Sequence, residues 1–138
     1  MLFINKSQCD KIQPIIVSKE NKKAHRALNV DKNFVFHYKI DGDIIPSTST
    51  EQRCDYLLEN ETKKTVYLIE LKGKHMNEAV DQIEATVRKF KSLLCSYAIF
   101  PRIVCGGNTH AVHSSKVVAF KRRYPNCKID TSIIEERI

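Results

Sequence analysis

Two short segments, CDYLLEN at Cys54–Asn60 and KTVYLIELK at Lys64–Lys72, are apolar at successive rather than alternate positions. A strand with that pattern is covered on both faces, so both segments are expected to be central strands of a sheet. The residues between them are few enough for an antiparallel hairpin. From Met76 the period changes. Met76, Ala79, Val80, Ile83, Val87, Phe90 and Leu94 recur at three- and four-residue spacing, the stripe of an amphipathic helix of roughly five turns. A chain that passes from doubly covered strands to a one-sided helix has to build a sheet with helices against it.

The remaining segments are read around that centre. VSKENKKAHRALNV, Val17–Val30, is polar with spaced apolar residues and is expected to be a helix, and NFVFHYKIDGDII is a strand entering an Asp-Gly turn. PSTSTEQ, Pro46–Gln52, reads as a surface loop. YAIFPRIVCGG is a strand closed by a Gly-Gly-Asn turn, SSKVVAFKRRY a short helix with a serine available to cap it, and CKIDTSIIEE a final strand or extended tail. The expected order is α-β-β-β-α-β-α-β over one domain, residues 1–138, of the α/β class: a mixed central sheet flanked by helices. The strand after the long helix should return parallel to the strand before it, through a right-handed crossover.

With 138 residues the chain is long enough for one core and too short for two ordinary ones. No apolar run approaches the roughly 20 residues of a membrane span, and no export signal is visible, so the cytoplasm is the expected location. The five cysteines, Cys9, Cys54, Cys95, Cys105 and Cys127, are scattered and odd in number, which argues for reduced, mostly buried thiols over disulfides or a zinc ribbon. The formal charge is +7. It is distributed unevenly: the first 30 and last 38 residues each carry a net +4, and the middle carries −1. A basic frame around an acidic centre suits a polyanionic partner.

That acidic centre holds the candidate chemistry. Side chains alternate along a strand, so Glu70 and Lys72 share a face with Val66 and Leu68 and put charge at one end of it. Antiparallel pairing brings the start of the preceding strand, with Asp55, beside Glu70 or Lys72. Isolated charges buried there would be costly, so the site is expected to be partly solvated or neutralised by a hard cation. Asp55 and Glu70 are candidate ligands for Mg2+, with the backbone carbonyl of Leu71 as a further oxygen. Lys72 is placed to position an attacking water, to deprotonate it, or to stabilise a pentacovalent oxyanion.

These residues resemble a known family. CDYLL and YLIELKGK, followed by a helix containing EAVDQIEAT, are similar to the PD-(D/E)xK nuclease superfamily, the restriction-endonuclease-like fold, over roughly residues 34–103. Asp55 matches the family's hairpin aspartate, although Cys54 stands where proline gives the motif its name. Glu70 and Lys72 match its E-x-K. Gln82 resembles an accessory glutamine on the helix that follows, where it would orient Lys72 or the phosphate; Thr86 replaces a tyrosine often found four residues later. Glu20 is the only match to an acidic, metal-leaning residue on the family's first helix. The resemblance implies a Mg2+- or Mn2+-dependent nuclease acting on DNA, an endonuclease with Asp55, Glu70, Lys72 and Gln82 as its catalytic set. One small domain presents one site, so cutting both strands would need a homodimer or a larger protein partner.

Lys74 and His75, directly after the motif, and Lys121, Arg122 and Arg123 in FKRRY are candidate nucleic-acid contacts; His75 could instead cap the following helix. His110 and His113 have helical spacing but no evident third ligand, which makes a zinc site the poorer expectation. The alternative to an enzyme is a noncatalytic nucleic-acid- or protein-binding module of the same fold, acting as a subunit of a larger assembly.

Overall fold

The computed structural model describes residues 1–72, 75–106 and 114–138, with Lys72 described by its backbone alone. The strands are β1 (Ile15–Glu20), β2 (Lys23–Leu28), β3 (Val35–Lys39), β4 (Tyr56–Asn60), β5 (Thr65–Lys72), β6 (Ala98–Cys105), β7 (Lys128–Thr131) and β8 (Ile133–Arg137). The helices are α1 (Met76–Lys89), α2 (Lys91–Leu94) and α3 (Ser115–Arg123). The architecture is α/β, with two mixed sheets.

The larger sheet has the order β3-β4-β5-β6-β7. β3, β4 and β5 form an antiparallel meander, with Tyr56 opposite both Lys39 and Ile69. The chain then crosses through α1 and α2, and β6 returns parallel to β5, pairing Thr65 with Ala98 and Lys72 with Cys105. β4 and β5 are therefore central, as their doubly apolar pattern requires. Leu57, Val66 and Leu68 pack with Ala79, Val80, Ile83, Val117 and Phe120 of the helices. Leu58, Tyr67, Ile69 and Leu71 pack on the opposite side with Ile16, Ala27 and Ile134 of the second sheet.

That second sheet, in the order β1-β2-β8, overturns the expected helix at Val17–Val30. β1 and β2 form an antiparallel hairpin whose turn carries Asn21 at φ 54°, and β8 adds parallel to β2. The inward positions include Ser18 and His25 as well as Ile16 and Ala27, so the period of two is hidden by polar residues. Helices thus cover one face of the main sheet and a sheet covers the other.

The final segment is likewise two strands instead of one. β7 extends the main sheet beside β6, and the chain then turns at Ser132, φ 66°, to enter the second sheet as β8. The long helix is shorter than its stripe: α1 ends at Lys89 with Phe90 as its C-cap, and Leu94 is reached through the one-turn α2. The Asp-Gly turn forms with Gly42 at φ 117°, a conformation that favours glycine. Ser114 caps α3 by accepting a hydrogen bond from the Val117 N–H at 3.3 Å. The Gly-Gly-Asn turn falls at its second glycine and asparagine outside the described residues, as do His110 and His113. All five cysteines are free, but only Cys54 and Cys105 are buried, and Cys95 is exposed. Among the described residues no helix is long and apolar enough to cross a membrane.

Candidate active site

The register of β4 on β5 runs out at Tyr56 and Ile69, and the next residues on each strand are Asp55 and Glu70. The Asp55 N–H donates to Glu70 Oε1 at 3.1 Å, and the Leu71 N–H donates to Asp55 Oδ2 at 2.7 Å. The two acids are thereby locked together at the C-terminal end of a central strand. They are less solvated than expected: Asp55 is 8% exposed and Glu70 is fully buried. Backbone amides at the ladder's end stand in for part of the missing water, which reduces the cost of burying charge there.

Glu20 joins them. It does so from the end of β1, a strand and not a helix, and it hydrogen-bonds the Asp55 carboxylate. Partial desolvation, then the charge and hydrogen bond of Asp55, raise the Glu20 carboxyl above its ordinary range. Like charges in such contact disfavour ionising both groups, and a cation between them would relieve that repulsion.

They border a cleft of about 370 Å³ lined by Glu20, Lys39, Asp41, Gly42, Asp43, Ser47, Asp55 and Tyr56. Asp41 is engaged by Arg53, Nε to Oδ1 at 3.1 Å, and Asp43 accepts from Gln8 Nε2 at 3.0 Å. Lys39 and Tyr56 were not found from the sequence. The missing signal is the pairing of β3 with β4, which puts them opposite each other, and that cannot be counted along one segment.

Lys72 ends β5, opposite Cys105, and its side chain and Lys74 lie outside the described residues. Leu71 points its side chain into the core between the sheets. Gln82 lies on α1, with its Oε1 buried and without a hydrogen-bond partner among the described residues. One turn later Thr86 has a definite structural task. Its Oγ1 accepts from the Cys54 N–H at 2.8 Å and donates to the Gln82 carbonyl at 2.8 Å, which ties α1 to the residue before Asp55.

His75 takes the N-cap position of α1 but makes no side-chain cap hydrogen bond, and it is exposed. Lys121, Arg122 and Arg123 form the last turn of α3, whereas the start of α3 is the end near the site: Ser114 Oγ bonds Asn77 Oδ1 of α1 at 2.8 Å. Nine helical residues, about 13 Å, separate those ends. Arg123 is also ion-paired with Glu84. The basic run therefore does not join the carboxylates.

The oxygen donors of Glu20, Asp55 and Glu70 have the chemistry that Mg2+ or Mn2+ takes. Among the described residues no group of three or more His, Cys, Asp or Glu side chains is arranged to hold a metal ion. No protein-family model, curated protein or solved structure matches the chain.

Proposed function

We propose that the chain is a metal-dependent nuclease with a restriction-endonuclease-like core, hydrolysing phosphodiester bonds in DNA. The observation that carries this reading is the joining of Asp55 to Glu70 where a central strand ends, with Glu20 of β1 reaching Asp55 from the second sheet. The antiparallel meander followed by a helical crossover to a parallel strand supports the same core.

In this reading Asp55 and Glu70 would hold Mg2+ or Mn2+, with the Leu71 carbonyl as an additional oxygen and Glu20 at the cleft side. The metal supplies charge for the phosphoryl oxygens and lowers the pKa of a bound water. Lys72 acts on the attacking water or on the charge developing at the phosphate. Gln82, whose Oε1 has no described partner, orients Lys72 or the phosphate. Cutting both strands requires a second copy or a protein partner.

The test is cleavage of plasmid, single-stranded and branched DNA with Mg2+ or Mn2+, beside Glu70→Ala and Lys72→Ala. Each variant is expected to lose about 10²- to 10³-fold in rate, the scale of removing one transition-state contact. Equal cutting by variants and wild type, or no cutting with either metal, overturns the enzymatic reading and leaves the noncatalytic module.

A further inference from the structure

We propose that the cleft beside Asp55 holds one unpaired nucleotide, its base stacked on Tyr56 and its phosphate against Lys39, so that single-stranded DNA is the preferred substrate. The proposal rests on the nuclease reading for its substrate class, but the stacking contact is separately testable.

Tyr56 is held as a fixed plane. One face of its ring stacks on His37, with centroids 5.1 Å apart and 12° between the planes. His37 is itself buried and bonded, its Nε2 lying 2.8 Å from Ser18 Oγ. The Tyr56 hydroxyl reaches the Lys19 carbonyl at 3.4 Å, which steadies the outer end of the ring. His37 covers one face of the Tyr56 ring, and Tyr56 lines the cleft. An aromatic ring already immobilised loses little further entropy when a base stacks on it.

Lys39 stands directly opposite Tyr56 in the β3–β4 ladder, so both side chains leave the same face of the sheet. Directly opposed residues have Cβ atoms about 5 Å apart, so the Lys39 and Tyr56 side chains start from neighbouring positions on that face. Lys39 is also a cationic lining residue among carboxylates. Of those carboxylates, Asp41 is neutralised by Arg53 and Asp43 is turned to Gln8. Glu20 and Asp55 are left facing the space that Lys39 faces.

The cleft's size and the geometry of stacking select the strand state. A volume of about 370 Å³ lies at the small end of ligand pockets, about 300–1,000 Å³, and suits a single nucleotide better than a base pair. A base within a duplex already has neighbours on both faces and presents none to Tyr56. Aromatic stacking accepts any base, so strand state and not sequence is what this contact reads.

The experiment measures binding of a short oligonucleotide carrying 2-aminopurine, single-stranded or annealed to its complement, in Ca2+ to the full chain. Wild type should bind the single strand at least about tenfold more tightly than the duplex, with the 2-aminopurine emission quenched by stacking. Tyr56→Ile keeps a β-branched apolar residue over His37 without a π-face, and should lose about tenfold on the single strand and nothing on the duplex. Tyr56→Phe should stay within about twofold of wild type. Unquenched emission on binding to wild type, or Tyr56→Ile binding both forms as wild type does, overturns the proposal. Cleavage assays on the same oligonucleotides separate the two readings. Tyr56-dependent binding with no cutting in Mg2+ or Mn2+ overturns the nuclease alone. Glu70-dependent cutting whose single-strand to duplex ratio is unchanged in Tyr56→Ile overturns the stacking alone.

Discussion

Two groups of ionisable residues sit at opposite ends of this molecule's electrostatic range. Between the sheets, Glu136 of β8 receives Arg102 of β6 in a forked pair, Nε to Oε2 at 2.6 Å and Nη2 to Oε1 at 3.0 Å, and His25 Nε2 at 2.7 Å. Lys128 adds a fourth contact at 3.4 Å. Burial works to raise the Glu136 pKa, but His25 and Arg102 outweigh it and pull the carboxyl down to about 2. At the end of β5 the balance is reversed. Asp55 meets Glu20 and sits beside Glu70, and the Glu20 carboxyl is pushed upward. One carboxylate is surrounded by its counterions; the others are arranged against each other. A fold tolerates the second arrangement where a ligand is to complete it, whereas the first already clasps β8 and β2 to the main sheet.

The strongest way to break that comparison is Glu136→Ala. It leaves Arg102, only 4% exposed, as an uncompensated buried charge, and should destabilise the fold by about 3–5 kcal/mol in a urea titration. Loss of less than about 1 kcal/mol would mean that the clasp is not what holds the sheets together.

Acid provides the next test. Burial, and then the neighbouring His25, hold His37 down at about 4 against an ordinary 6.5. Between those values the unfolded chain binds the proton that the folded chain refuses. The His37 contribution is thus complete above pH 6.5 and is lost as pH falls toward 4, by about 3 kcal/mol. Glu136 acts in the same direction, from its ordinary 4.5 down to about 2. Urea midpoints measured between pH 7 and pH 4 should fall steadily, and His37→Gln should flatten the upper part of that slope.

The smallest effect is the most diagnostic. The Glu20 carboxyl is raised, so the folded chain binds more protons than the unfolded one just above pH 4.5, and Glu20 costs stability as pH rises through that window. Glu20→Gln should therefore stabilise the protein near neutral pH. The gain should be below about 1 kcal/mol because the side chain is exposed at the cleft rim, while cleavage in Mg2+ falls. A stabilised variant that cuts as well as wild type would place Glu20 outside the working site.

Much of the main sheet was legible because its signal is local. Leu57, Leu58, Val66, Leu68 and Ile69 declare doubly covered strands by adjacency alone, and the stripe from Met76 declares α1. The hairpin that brings Asp55 to Glu70 follows from the short connection between two such strands. The second sheet was not legible, because β1 and β2 bury Ser18 and His25 at inward positions where a strand ordinarily shows apolar residues. Ser18 is bonded by His37, and His25 Nε2 by Glu136, which is 111 residues away from His25. No window on the sequence contains both ends of such a bond.

The same division runs through the candidate site. The amino-acid sequence by itself determined that acidic groups would stand at the end of a buried strand, because alternation and hairpin closure are short-range geometry. Only the tertiary structure decided that Glu20 reaches Asp55 from a strand instead of a helix, that FKRRY lies away from the carboxylates, and that Lys39 and Tyr56 line the cleft. Each of these depends on how separate strands and helices are laid against one another, and that packing is settled by contacts among residues far apart in the chain.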